Sequence, residues 1–210
     1  MTSLDPFYPI VPDTEWLGRL LPHGIKLVQL RIKDQPPGVV RAEIAKAIAL
    51  CAGFGCQLVV NDYWRDAIAL GADIVHLGQE DLAAADLSAI RTAGLKIGVS
   101  THSFEELDKA LAAQADYVAL GPIYATKLKA MPWPPQGLPR IAEWRSLVSC
   151  PLVAIGGITL DRAALVPASG ADSVAVITDI MTNQDPGAHA EKWISVTAPW
   201  RSLSTDLPHT

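Results

Sequence analysis

One pattern constrains this chain more than any other. A short apolar run rich in Val and Ile recurs along its 210 residues, each time followed by a longer stretch with helical periodicity. The runs are Phe7–Val11, Leu27–Leu30, Leu58–Val60, Ile74–Leu77, Lys96–Val99, Tyr117–Leu120, Leu152–Ile155 and Ser173–Ile177. Continuous apolar strands are buried on both faces, as in parallel sheets covered by helices. The clearest helical patterns are Val39–Cys51, Tyr63–Leu70, Phe104–Gln114 and Leu160–Ala168, with apolar residues at helical spacing. Eight strand–helix units in this length predict an α/β fold, a single-domain (β/α)8 TIM barrel, which needs roughly 200 to 250 residues. An open doubly wound sheet would use fewer strands and a glycine turn after the first, and no GxGxxG follows Phe7–Val11.

The barrel is expected over residues 1–196. Residues 197–210 mix Pro, Ser and Thr without periodicity and read as a flexible tail. Ser103 before Phe104-Glu105-Glu106, and Thr159 before Leu160-Asp161, read as helix N-caps with acidic first turns. The proline-rich stretch Lys127–Gly137 reads as a long functional loop after the sixth strand.

Composition excludes several classes. A net charge of −5 argues against nonspecific nucleic-acid binding, which depends on surplus Lys and Arg. No apolar segment approaches the roughly 20 residues that cross a bilayer, and the N-terminus has no signal-peptide pattern. Cys51, Cys56 and Cys150 have no zinc-ligand spacing and read as thiols in a reducing compartment. The expectation is a cytoplasmic protein with small-molecule partners; homo-oligomerisation stays open.

In such barrels chemistry gathers where strands end. Gln29, Arg31 and Lys33 alternate along the second strand, and period-two spacing puts all three on one face, pointing into the barrel mouth. One such charge alone would read as solvated. Asn61 and Asp62 end the third strand, and Asp81 lies just beyond the fourth. Two carboxylates beside cations suit Mg²⁺ with a diphosphate, because Mg²⁺ takes one or two carboxylates plus waters and phosphate oxygens. Taken singly, Asp62 reads equally well as a helix cap and Asp81 as a turn residue. Ser100 follows Gly98-Val99, and Thr126 and Lys129 follow the sixth strand. Gly156-Gly157 closes the seventh strand ahead of a helix, where backbone amides can meet a phosphate, and the eighth ends at Ile177-Thr178. His76 reads as a satisfied core residue or one standing just behind the ligand-contacting groups, and His102 as capping or flanking a helix. No nucleophile–base pair stands out, so positioning and electrostatics fit better than covalent catalysis.

Six segments, in order, resemble the thiamine phosphate synthase family. They are Gln29-Leu30-Arg31-Ile32-Lys33-Asp34, Val60-Asn61-Asp62-Tyr63-Trp64-Arg65, Val75-His76-Leu77-Gly78-Gln79-Glu80-Asp81-Leu82, Gly98-Val99-Ser100-Thr101-His102, Gly121-Pro122-Ile123-Tyr124 and Ala154-Ile155-Gly156-Gly157-Ile158. The resemblance implies a transferase that ionises hydroxymethylpyrimidine diphosphate and joins its methylene cation to the nitrogen of hydroxyethylthiazole phosphate. By that analogy the stretch Gln29, Leu30, Arg31, Ile32 and Lys33, with Asn61, Ser100 and Lys129, holds the pyrimidine diphosphate. Arg31, Lys33, Ser100 and Lys129 would carry the chemistry, and Asp62 and Asp81 would bind Mg²⁺. Thr126, Leu128, Gly157, Ile177 and Thr178 would hold the thiazole phosphate.

The chain departs from the family at Ala125-Thr126-Lys127-Leu128-Lys129, where Pro-Thr-x-Thr-Lys is usual. Leu128 removes a phosphate donor, at a cost of about 1.5–3 kcal/mol. Thr178 stands where Ser is usual. Two rivals remain: a thiazole tautomerase-like isomerase, and a non-catalytic barrel that binds thiazole or thiamine phosphate. The isomerase has no reason to keep Asp62, Asp81, Lys33 and Lys129 together, and its relatives carry an acid–base His where this chain has Pro122.

Overall fold

The computed structural model describes residues 4–126 and 133–203. Eight parallel strands close in sequence order, with the last pairing the first. They are β1 (Phe7–Val11), β2 (Leu27–Leu30), β3 (Gln57–Asn61), β4 (Ile74–Leu77), β5 (Lys96–Thr101), β6 (Tyr117–Leu120), β7 (Leu152–Ile155) and β8 (Ser173–Val176). The helices are α1 (Thr14–Leu20), α2 (Pro37–Phe54), α3 (Trp64–Leu70), α4 (Gln79–Ala84), α5 (Leu87–Thr92), α6 (Phe104–Ala112), α7 (Gly137–Leu147), α8 (Leu165–Ala168), α9 (Thr178–Met181), α10 (Pro186–Thr197) and α11 (Trp200–Leu203). The barrel expected from the recurring apolar runs is the fold.

The two faces of each strand feed two separate cores. The outward face packs under the helices, with Val28, Val60, Val75, Ile97, Val118 and Leu152 among the buried residues. The inward face fills the barrel with Tyr8, Leu27, Val59, Ile74, Tyr117 and Val153. Polar side chains are therefore tolerated inside only where they find partners or the open mouth.

Local chemistry sets the helix starts. Asp13 caps α1 by accepting from Trp16 N at 2.9 Å, and Asp185 caps α10 by accepting from Ala188 N at 3.0 Å. Ser103 caps α6 as the sequence predicts, accepting from Glu106 N at 3.3 Å. Thr159 does not cap. Its hydroxyl donates to Asp161 Oδ1 at 2.5 Å, and the segment forms a 3₁₀ turn over Leu160–Arg162 and then the four-residue α8. Pro167, which has no N–H to give, falls inside α8. The single helix read over Leu160–Ala168 is thus two short pieces.

Order also runs past Thr197. Trp200 is buried, and Arg201 pairs with Asp5 at 2.8 Å. The short α11 after α10 thus pairs with the segment that precedes β1. Residues 204–210 of the expected tail, and Lys127, Leu128 and Lys129 of the long loop, lie outside the described residues.

Candidate active site

The inward faces near the C-terminal ends of the strands enclose a cavity of about 410 Å³, open to solvent. Its wall is mostly apolar, from Ile10, Ala119, Val153, Ile155, Ala175 and Ile177. Polar groups enter from one side: Gln29 and Arg31 from β2 and its end, Asn61 from β3, His76 from β4 and Ser100 from β5. Strand register places them side by side, with Asn61 opposite His76 and Ser100 opposite Ala119.

Gln29, Arg31 and Lys33 stand at three depths. Gln29 is buried, Arg31 is half-buried in the cavity wall, and Lys33 is exposed at the rim. The intervening Leu30 and Ile32 face the opposite way and sit in the core under the helices. Neither residue is among those that line the cavity.

At the rim the Lys33 ammonium donates to Asp62 Oδ2. Asp62 adopts φ 65° directly after β3, a left-handed backbone that turns its carboxylate back over the barrel end. Asp81, in the first turn of α4, lies within hydrogen-bonding reach of Asp62. Burial first, and the Asp62 charge second, hold the Asp81 carboxyl above the usual carboxylate range. A carboxylate pair with one ammonium beside it is short of positive charge. That donor set fits Mg²⁺, which uses two carboxylates and takes its other oxygens from water and phosphate. No group of three His, Cys, Asp or Glu side chains forms a protein-only metal centre among the described residues.

The second candidate phosphate site, expected at Gly156-Gly157, is shaped by backbone. Gly156 (φ 98°) and Gly157 (φ 64°) lead out of β7, and a Cβ on Gly157 would lie 2.5 Å from Ala125 O. Only glycine brings these amides so close to the loop after β6. Tyr124 N donates to Gly156 O at 2.9 Å and ties the two loops together. Ile177 lines the cavity, Thr178 opens α9, and Thr126 sits half-buried at the end of the described loop. The turn after Thr159 is 3₁₀ and α8 is short, so any attraction for a phosphate here would come from backbone amides rather than a long helix dipole.

The family model described as thiamine monophosphate synthase matches residues 7–180, most of the chain. The chain belongs to the thiamine monophosphate synthase family. A thiamine-phosphate synthase of Rhizobium etli is 61% identical over 201 residues, covering 95% of this chain and 98% of that protein. One from Escherichia coli is 50% identical over 179 residues, 85% of each. Among solved structures, thiamine phosphate pyrophosphorylase from Pyrococcus furiosus superposes with a TM-score of 0.81 at 29% identity, covering 93% of this chain and 96% of that one.

Within this family member the structure adds residues to which the sequence reading gave no role. Gln29 Nε2 donates to Tyr8 Oη at 2.9 Å, and Tyr8 Oη meets Tyr117 Oη at 3.0 Å. His76 bridges Tyr117 Oη (Nδ1, 2.8 Å) and Ser100 Oγ (Nε2, 2.8 Å). His76 is thus satisfied inside the barrel, as expected, and burial lowers its pKa to about 4. Burial pushes both tyrosines well above the ordinary phenol value. Tyr8 and Tyr117 were legible only as large strand residues; the signal that could have marked them is the alternation that sets Tyr8 with Ile10 and Tyr117 with Ala119. Gln79, in the quoted Gly78-Gln79-Glu80-Asp81 segment, donates to Ser100 O at 2.7 Å and braces β5 from α4. His102, read as flanking α6, pairs with Glu106 at 2.8 Å and stacks on Trp133.

Proposed function

We infer that this chain condenses 4-amino-2-methyl-5-(diphosphooxymethyl)pyrimidine with hydroxyethylthiazole phosphate, giving thiamine phosphate and diphosphate. Identity of 61% to a thiamine-phosphate synthase across nearly the whole chain supports the activity. The observation that carries the mechanism is the rim cluster of Lys33, Asp62 and Asp81, set at the edge of a mostly apolar cavity with Arg31 in its wall.

The pyrimidine ring enters the cavity and its diphosphate stays at the rim. The C–O bond breaks with its electron pair leaving on the diphosphate, and the methylene carbon becomes cationic. Walls of Ile, Val and Ala present that carbon with no competing nucleophile of their own. The thiazole nitrogen attacks instead, forming the new C–N bond. Arg31 and Lys33 meet the charge that collects on the departing oxygens, while Asn61 and Ser100 give it hydrogen bonds. A unit-charge pair near 4 Å at an effective dielectric of about 20 is worth about 4 kcal/mol, close to a thousandfold in rate. Asp62 and Asp81 would hold Mg²⁺, which would supply further neutralisation of the leaving group. Lys129, outside the described residues, completes this set by family resemblance. The amides of Gly156 and Gly157, with Thr126, Ile177 and Thr178, hold the thiazole phosphate in line.

The test is a condensation assay with both substrates. Thiamine phosphate and diphosphate should form together, and EDTA should suppress both. Product formation that persists in EDTA, or thiazole isomerisation without diphosphate release, would overturn this reading.

A further inference from the structure

The buried polar chain in the barrel ends on Ser100, and the number of hydrogens along it fixes its direction. Gln29 Nε2 gives a hydrogen to Tyr8 Oη at 2.9 Å. The hydrogen of Tyr8 itself must then go elsewhere. Tyr117 Oη at 3.0 Å is the partner that remains to it among the described residues. Tyr117 has accepted that hydrogen, so its own goes to His76 Nδ1 at 2.8 Å. An imidazole whose Nδ1 accepts carries its hydrogen on Nε2 and gives it to Ser100 Oγ at 2.8 Å. The hydroxyl hydrogen of Ser100 is left unspent, beside the cavity.

Run in the opposite sense, the chain would leave the hydrogen of Tyr8 without an acceptor in a fully buried position. An unmet buried donor biases the two arrangements by about tenfold or more. Packing holds each link in place. Tyr8, Tyr117 and His76 are all buried, His76 stacks on Tyr117 with centroids 5.5 Å apart, and Tyr8 meets Tyr117 edge-on at 6.3 Å. The Tyr117 ring lies over Gly98, where a Cβ would come within 2.0 Å of its Cζ. The fold has cleared a side chain to seat this ring.

We propose that His76, Tyr117 and Tyr8 are positioning residues that hold the Ser100 hydroxyl as an obligate donor to the bound pyrimidine diphosphate. Tyr8 and His76 stand in the cavity wall and Tyr117 behind it. They act by fixing the tautomer of His76 and, through it, which way the Ser100 hydrogen points. The role rests on the synthase reading, but the tautomer can be measured without any substrate.

The experiment is long-range ¹H–¹⁵N NMR of ¹⁵N-histidine-labelled protein, with the His76 signal assigned by its loss in His76→Gln. Wild type should show the Nε2–H tautomer. Gln29→Glu exchanges the donor at the head of the chain for an acceptor, so every link should invert and His76 should appear as Nδ1–H. Tyr117→Phe keeps the ring but leaves Nδ1 without a polar partner, so by the same accounting His76 should stay Nε2–H, because an Nδ1–H would be a buried donor with no acceptor. In the condensation assay Ser100→Ala, which removes the donor itself, should raise KM for the pyrimidine diphosphate about tenfold and leave KM for the thiazole phosphate unchanged, while Tyr117→Phe should leave both near wild type. An Nδ1–H tautomer in wild type, or a His76 tautomer unmoved by Gln29→Glu, overturns the proposal whatever the assay reads. A protein with the expected tautomers but no condensation activity would refute the synthase reading alone.

Discussion

Gly98→Ala adds one methyl group at the most crowded point of the barrel interior. Its Cβ would lie 2.0 Å from Tyr117 Cζ, 2.2 Å from Cε1 and 2.4 Å from Oη. Ordinary contact begins near 3.4 Å, so the ring must retreat by about 1.4 Å. Tyr117 is buried and its Oη holds two partners, His76 at 2.8 Å and Tyr8 at 3.0 Å. A retreat of that size breaks both bonds. Overpacking costs about 1–3 kcal/mol, and each lost hydrogen bond adds about 1 kcal/mol. The expected loss is therefore about 3–5 kcal/mol, or a fall in Tm of about 6–20 °C for a domain of this size. Urea and thermal unfolding of the purified variant measure it. Introduced into a Tyr117→Leu background, the same alanine should cost little, because the two changes share one space. A loss below about 1 kcal/mol in the wild-type background, or full additivity in the double variant, refutes the reasoning.

Three further outcomes are expected. The native His76 ring, at a pKa of about 4, is harder to protonate than in the unfolded chain, where the value is 6.5. Stability is therefore full above pH 6.5 and falls as pH drops toward 4, by about 3 kcal/mol in all; urea midpoints across that window should lose this slope in His76→Gln. Asp62→Asn removes the charge yet suits the left-handed backbone, so it should leave the fold intact while lowering kcat/KM by roughly a hundredfold or more, measured with saturating Mg²⁺. Leu128→Thr restores a phosphate donor and should lower KM for the thiazole phosphate by about 10- to 100-fold, with KM for the pyrimidine diphosphate unchanged.

The barrel was legible because each strand is a continuous apolar run, and burial on both faces follows from parallel packing under helices. The cationic rim was legible for a simpler reason: period-two spacing in Gln29, Arg31 and Lys33 leaves no other common face. What the sequence could not convey is depth. Gln29 reads like Lys33 in the pattern, yet one is buried in the polar chain and the other lies at the rim. Leu30 and Ile32, carried along by family resemblance, belong to the outer core. Thr159 shows where local rules compete: its hydroxyl could cap a helix, but Asp161 two residues on takes its hydrogen. Tyr8 and Tyr117 are 109 residues apart and meet only when β1 and β6 close across the barrel, a contact that no local signal reports.

The central claim, that a divalent ion on Asp62 and Asp81 joins the basic side chains in stabilising diphosphate, is tested most directly by calorimetric titration of inorganic diphosphate. The comparison is between wild type and an Asp62→Asn/Asp81→Asn double variant, each with and without Mg²⁺. Wild type should gain about tenfold or more in affinity from Mg²⁺. The double variant should gain nothing from the metal, and without it should bind diphosphate at least as tightly as wild type, since two repelling carboxylates are gone. Equal enhancement by Mg²⁺ in both proteins, or weaker metal-free binding by the double variant, would contradict the account.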